Sequence, residues 1–194
     1  MEAAPVLLEG IGADGWGLRV AFHWLGDRYG HTISLIEPRG AVVPLLESIE
    51  GPVTDDWPSS PPLQSLHVQE LPAGRRAALL VGMAGRNHWS ASVEAAPGQP
   101  ALVFDVACRR SAPSRLPGSK YRLLAGPLTR TQDDDQRVVL ALSEGRRIQV
   151  IASNESLGTA WSDQELWIGV VPHSGAVRTT ERWRYEIAVL STEY

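Results

Sequence analysis

The sequence predicts an all-β protein: an antiparallel β-sandwich (jelly-roll-like) or a barrel of about 11–12 strands with one or two short helical turns. Gly and Pro recur at intervals of roughly eight to twelve residues, and the segments between them are short. Within these segments, apolar and polar residues alternate with a period of two, as in strands that bury one face. No long segment carries a helical apolar stripe.

Length and composition predict one globular domain spanning residues 1–194. The chain is 43% hydrophobic and 21% charged, which is ordinary for a folded protein, and 194 residues would give two domains thin cores. The Pro-rich stretch 51–62 interrupts the strand pattern. We interpret it as an ordered connection inside the domain, because the fifty or so residues before it would form a meagre domain of their own.

The clearest strands lie towards the N-terminus of the chain. Segment 16–24 places a series of large apolar residues on one face, and a hairpin loop at 26–30 leads into a strand at 31–37. The next four strands, predicted as a meander, cover 63–71, 76–84, 87–95 and 101–109. The apolar series of segment 16–24 consists of Trp16, Leu18, Val20, Phe22 and Trp24.

The remainder of the chain continues the strand pattern. Strands are predicted at 121–125, 138–143, 147–152, 166–171 and 183–189, with a tight turn at Glu144-Gly145 between the second and third of these. Segment 166–171 is apolar on both faces, which predicts a buried strand that includes Trp167. The two candidate helical turns are 44–49 and 162–165, the latter because Ser-x-x-Glu fits a capping box.

An internal similarity suggests two related hairpins. The offset that aligns His31 with His88 also aligns Glu37 with Glu94. A duplicated β architecture would produce this match, and so would chance in a chain biased towards Arg, Ala and Gly. The phases disagree, since His31 alternates in step with apolar residues and His88 with serines, so the two histidines need not share a role.

Composition excludes several classes of function. The formal net charge of −4 argues against sequence-independent nucleic-acid binding, which needs surplus cations. Lys120 is the only lysine, so the many arginines fit the bias of a GC-rich, bacterial-like genome. Cys108 is the only cysteine and excludes an intrachain disulfide. No signal peptide or apolar run of membrane-spanning length occurs, which predicts a cytoplasmic protein with no membrane partner.

No sequence signature of catalysis is present, but one polar face could carry chemistry. His88, Ser90 and Ser92 share a face of strand 87–95, and Asp105 shares the matching face of strand 101–109. A register with Val93 opposite Leu102 would place Ser90 opposite Asp105, with His88 diagonal to Asp105 at roughly 7 Å. His88, Ser90 and Asp105 are the candidate catalytic group of a hydrolase, although no oxyanion hole is visible.

Other residues on this face and in the loops are candidates for ligand binding. Glu94 and Arg109 end the same polar face, and Trp57 and Trp161, in predicted loops, could stack on a sugar ring or on a partner's side chain. No pair of His and Cys has metal-ligand spacing, so neither a metal nor another cofactor is predicted. Cys108 alternates with apolar residues and is interpreted as a buried structural thiol.

Three functional hypotheses follow from these residues. The favoured one is a non-catalytic binding or interaction module for a small molecule, carbohydrate or protein. The second is a scaffold subunit of a homo-oligomer, since open sheets need their edges covered. The third is a hydrolase that uses His88, Ser90 and Asp105, or a cleft containing His23 and His31.

Overall fold

The computed structural model is a sandwich of two antiparallel sheets that do not close into a barrel, which confirms the all-β prediction. It describes residues 4–111, 116–124, 129–134, 136–142, 146–153, 157–162, 164–171 and 180–190. The described residues contain fifteen strands, more than the predicted 11–12, and a single helical segment, the 3₁₀ turn Pro72–Gly74. Within the described residues, no helix is long and apolar enough to cross a membrane.

Seven strands form the first sheet, sheet I, in the order β1-β2-β3-β4-β9-β14-β13. Their bounds are β1 Val6–Ile11, β2 Gly17–Trp24, β3 Tyr29–Ile36, β4 Val42–Ser48, β9 Gly118–Leu123, β13 Leu157–Ser162 and β14 Glu165–Val170. Eight strands form sheet II, in the order β10-β11-β12-β15-β8-β7-β6-β5. Their bounds are β5 Ser65–Glu70, β6 Arg76–Ala84, β7 Asn87–Ala95, β8 Ala101–Arg109, β10 Thr129–Asp134, β11 Arg137–Ala141, β12 Arg147–Ala152 and β15 Thr180–Leu190.

Both predicted helical turns are wrong. Segment 44–49 lies mostly in β4, where Leu46 pairs with Leu123 of β9. Ser162 and Glu165 pair with each other across the tight hairpin between β13 and β14. The Ser-x-x-Glu spacing fits a capping box, but it also fits a short β-turn. The antiparallel pairing of β13 with β14 selects the turn.

The first eight strands repeat one arrangement. β1–β4 and β5–β8 are successive four-stranded meanders, one in each sheet, and each strand of the second follows its counterpart at a nearly constant offset. If His31 is aligned with Trp89, one position beyond the predicted His88, two residues that both point into the core correspond. The predicted alignment of His31 with His88 instead pairs an inward-facing residue with an outward-facing one. This one-position difference removes the conflict of phase between His31 and His88.

The connection at 51–62 crosses from sheet I to sheet II and is held by buried contacts. The Ser60 hydroxyl donates to the Lys120 carbonyl and accepts from the Lys120 N–H, both at 3.0 Å. The Asn87 side-chain amide donates to the Asp56 carbonyl at 3.0 Å. The connection ends against Gly82, where an added Cβ would lie 1.9 Å from the Pro62 carbonyl oxygen. Glycine at this position lets the connection pass close to β6.

One contiguous apolar core fills the space between the sheets. Trp89 and Trp183 are buried in it. Cys108 is fully buried, as predicted, and burial raises the pKa of its thiol to about 12. The core prediction is wrong for Trp24, which ends β2 and is 40% exposed. Trp167 is only partly buried, because its indole lies outside the core layer, over Gly118.

Candidate functional site

The polar face predicted on strands 87–95 and 101–109 is the outer face of sheet II. His88 and Ser90 are exposed there, Ser92 and Glu94 are partly buried, and the alternate residues of β7 point into the core. Asp105 and Arg109 lie on the same face of β8. The shared face was predictable because alternation along a strand requires no knowledge of its neighbours.

The predicted register between these strands is wrong by two residues. Ser92, not Ser90, lies opposite Asp105, while Ser90 lies opposite Ala107 and His88 opposite Arg109. His88 is therefore separated from Asp105 by four positions along the ladder, about 13 Å. A shift of two residues keeps every side chain on its predicted face, so the alternation could not detect it.

Asp105 is engaged by arginines of β15. Arg182 donates through Nε to Asp105 Oδ1 at 2.6 Å and through Nη2 to Asp105 Oδ2, and Arg184 Nη1 lies 3.8 Å from Oδ2. The bidentate hydrogen bonds raise the pKa of Arg182. The Ser–His–Asp contacts that a hydrolase would need are not formed by His88, Ser90 and Asp105.

A shallow trough runs along the middle of this outer face. Its floor consists of Ser90 and Ser92 of β7 and of Asp105 and Ala107 of β8. One wall is an apolar ridge of three outward side chains of β6, exposed at 40, 55 and 46%: Leu79, Val81 and Met83. The other wall is formed by Arg182 and Arg184 of β15. We refer to these three parts as the trough floor, the apolar ridge and the arginine wall.

The sequence did not identify the apolar ridge. Strand 76–84 is apolar on both faces, since Leu80 and Ala84 alternate with Leu79 and Val81. Period-two alternation shows which residues share a face but not which of two apolar faces meets the core. Arg182 and Arg184 alternate with aromatic residues in the sequence, but nothing in the sequence placed these arginines beside Asp105.

The candidate ligand-binding residues are scattered. Glu94 and Arg109 lie on the outer face of sheet II, six positions apart along the ladder, and Glu94 is 3.4 Å from Arg75. Trp57 is partly buried and packs edge-on against Trp89, with ring centroids 6.2 Å apart. Trp161 belongs to β13 rather than to a loop, and it is partly buried against the core. The four residues do not form one site.

His23 and His31 point to opposite faces of sheet I, so they do not share the predicted cleft. Phe22 is buried and lies opposite His31, which therefore points between the sheets, while His23 lies opposite Gly30 and points away from the core. The His31 ring stacks against Phe104 with centroids 5.7 Å apart. Burial, and to a lesser degree the charge of His23, lowers the pKa of His31 to about 4.

His31 begins a chain of buried hydrogen bonds across the core. Its Nε2 lies 3.0 Å from the Tyr121 hydroxyl, which lies 2.5 Å from the Tyr185 hydroxyl. Burial raises the pKa of both tyrosines. Close by, the Trp183 indole donates to the Ser119 hydroxyl at 3.0 Å. These bonds satisfy polar atoms where sheet I meets sheet II, so we interpret them as structural.

Glu50 lies near this chain at the start of the connection. The Ser48 hydroxyl accepts a hydrogen bond from the His31 N–H at 2.8 Å and donates to Glu50 Oε1 at 2.5 Å. Burial raises the pKa of Glu50 to about 7, although the Ser48 hydrogen bond and the Arg28 charge act in the opposite direction. Glu50 Oε2 and Arg28 Nη1 are buried and have no hydrogen-bond partner among the described residues.

No group of three or more His, Cys, Asp or Glu side chains among the described residues could hold a metal ion. Comparison of the chain with models of known protein families finds no match, and comparison with curated proteins finds none either.

Proposed function

We propose that this protein is a non-catalytic interaction module that binds another protein at the outer face of sheet II. The observation that carries this proposal is the apolar ridge. Leu79, Val81 and Met83 place three large apolar side chains side by side in water, next to the polar outward residues of β7. Contiguous apolar surface of this kind is typical of contact sites, whereas single exposed apolar residues are ordinary.

The shape of the trough favours a protein over a small molecule. Small-molecule sites enclose most of their ligand, whereas this depression, of about 530 Å³, is wide and open. A carbohydrate platform has less support, because Trp57 and Trp161 are both packed against the core. A cytoplasmic location fits this proposal, since the only cysteine, Cys108, is free and buried.

Site-specific photo-crosslinking in cells tests the proposal. A photoreactive amino acid at Ser90, on the trough floor, is expected to give a discrete crosslinked partner that disappears when Val81→Asp is added. The same amino acid at Glu47, an outward position of β4 in sheet I, serves as the control. Circular dichroism and thermal unfolding establish that each variant is folded. Absence of a crosslink from Ser90, or the same products from Ser90 and Glu47, would refute the proposal.

A further inference from the structure

We propose that Glu50 and Arg28 form a pH-sensitive switch, in which Arg28 Nη1 donates a hydrogen bond to the ionised Glu50 carboxylate but not to the protonated carboxyl. Arg28 belongs to the hairpin loop between β2 and β3, and Glu50 immediately precedes the connection at 51–62. Ionisation of Glu50 therefore joins the hairpin loop to the connection. The switch does not depend on the outer face of sheet II, so it goes beyond the proposed function.

Two buried polar atoms in this region lack hydrogen-bond partners. They are Arg28 Nη1 and Glu50 Oε2, and neither has a partner among the described residues. Arg28 is only 3% exposed, and its Nε atom donates to Asp27 Oδ2 at 2.6 Å, so Nη1 is the nitrogen that remains unsatisfied. A buried donor or acceptor without a partner is unfavourable. One hydrogen bond between these two atoms would satisfy both.

Glu50 packs against the chain next to Arg28. A Cβ added at Gly30, two residues after Arg28, would lie 3.6 Å from Glu50 Cγ. The Leu25 side chain lies 2.9 Å from the same point, and the Leu25 N–H donates to the Arg28 carbonyl at 2.8 Å. The charge of Arg28 acts on Glu50 at this separation and lowers its pKa. Rotation of two flexible side chains, without a change of fold, therefore brings the groups into contact.

The protonation state of Glu50 decides whether the hydrogen bond forms. Glu50 Oε1 accepts from the Ser48 hydroxyl at 2.5 Å, so a carboxyl proton resides on Oε2. The Oε2 hydroxyl and Arg28 Nη1 are then both donors, and two donors do not form a favourable pair. Loss of the proton turns Oε2 into a charged acceptor. Hydrogen bonds from a guanidinium group to a carboxylate are among the stronger ones in proteins.

The groups around Glu50 leave it as the one that changes charge near neutral pH. Burial raises the pKa of Glu50 to about 7. Burial also lowers the pKa of His31 to about 4 and raises that of Tyr121, so both are neutral between pH 5 and pH 8. Asp27 is ion-paired with Arg28 and opposes the ionisation of Glu50. The titratable and charged groups of this cluster are Asp27, Arg28, His31, Tyr121 and Tyr185, which is hydrogen-bonded to Tyr121.

The hydrogen bond restrains two exposed segments. Gly51, next to Glu50, has a φ of +75°, and a Cβ added there would lie 3.5 Å from the Ser59 nitrogen. Residues 52–58 therefore form a loop whose ends are close together. Val53 in this loop is 68% exposed, and Leu25 in the hairpin loop is 56% exposed. When Glu50 is ionised, Arg28 links the two loops. When Glu50 is protonated, this link is lost and both loops move more freely.

NMR spectroscopy of the natural protein between pH 5 and pH 8.5 tests the switch. Glu50 is followed through the ¹³C signal of its carboxyl and Arg28 through its guanidinium protons. We expect the Arg28 Nη1 protons to shift downfield and to exchange more slowly with water, with the same midpoint as Glu50. Crystals at pH 8.5, but not at pH 5, should show Nη1 about 2.9 Å from the carboxylate. An Arg28 signal that does not follow Glu50, or a water molecule between the two groups at pH 8.5, would overturn the proposal.

Three variants and amide exchange complete the test. Glu50→Gln should abolish the change in the Arg28 signal, whereas Glu47→Gln, which removes an exposed carboxyl paired with Arg122, should preserve it. Arg28→Gln should raise the Glu50 midpoint by about one pH unit or more, and an unchanged midpoint would contradict the switch. Amide protection in both loops, corrected for the intrinsic exchange rate, should increase with the same midpoint as Glu50 ionises. Protection that is independent of pH would overturn the proposal. Where a variant does not fold, the titration of the natural protein decides.

Discussion

Replacement of Glu50 by glutamine should change how the stability of this protein depends on pH. Glu50 is held near the core by the Ser48 hydroxyl, and its second oxygen is buried without a hydrogen-bond partner among the described residues. Burial raises the pKa of the carboxyl from 4.5 to about 7. A glutamine side chain has nearly the same shape and keeps an oxygen for Ser48, but it does not ionise.

The sign and size of the effect follow from the two pKa values. Between pH 4.5 and pH 7 the unfolded chain releases the Glu50 proton while the folded protein keeps it, so stability decreases as pH rises. The difference amounts to about 3 kcal/mol at pH 7.5. His31 acts in the opposite sense: its folded pKa is about 4, so stability decreases as pH falls below 6.5. In the natural protein the two effects largely cancel between pH 4.5 and pH 6.5.

Urea unfolding at several pH values measures this prediction. We expect the free energy of unfolding of Glu50→Gln, relative to the natural protein, to increase by about 3 kcal/mol between pH 4.5 and pH 7.5. Glu47→Gln removes an exposed carboxyl of the same region and should run parallel to the natural protein, apart from a small constant. A difference between Glu50→Gln and the natural protein that stays constant with pH would refute the reasoning.

Three further predictions concern the core. Gly82→Ala should lower the free energy of unfolding by about 1–3 kcal/mol or more, because the new methyl group would overlap the Pro62 carbonyl; unchanged stability in urea unfolding would contradict the close approach. Arg110→Met should cost about 3–5 kcal/mol in the same assay, because it leaves Glu181 buried without its 2.6 Å partner, and the added change Glu181→Leu should restore part of that loss. Cys108 should not react with a thiol reagent at pH 8 in the folded protein and should react fully in urea, since the thiol is buried and its pKa is about 12; rapid reaction before unfolding would exclude this environment.

The sequence was most informative about individual strands. The bounds of β6, β7 and β8 agree with the predicted segments 76–84, 87–95 and 101–109. Alternation also assigned the polar residues of β7 and β8 to one face. These features depend on the local backbone, because successive side chains of any strand point to opposite sides.

The register and the neighbours of each strand were harder to predict from the sequence. The hydrolase hypothesis depended on Ser90 lying opposite Asp105, and the ladder places Ala107 opposite Ser90 instead. Registers two residues apart bury the same faces, so the choice between them depends on turns and on packing against the other sheet. The arginines that contact Asp105 belong to β15, far along the chain from β8, and no local pattern predicts that contact.

By itself, the sequence determined the all-β class, the position of most strands and the residues that share a face, because backbone geometry imposes a period of two on every strand. Only the tertiary structure decided that Leu79, Val81 and Met83 face water, that Arg182 neutralises Asp105 and that Glu50 is buried. These properties depend on which strands are neighbours, in which register, and on which face of each sheet meets the other. Each of those choices minimises the free energy of the whole chain rather than that of any one segment.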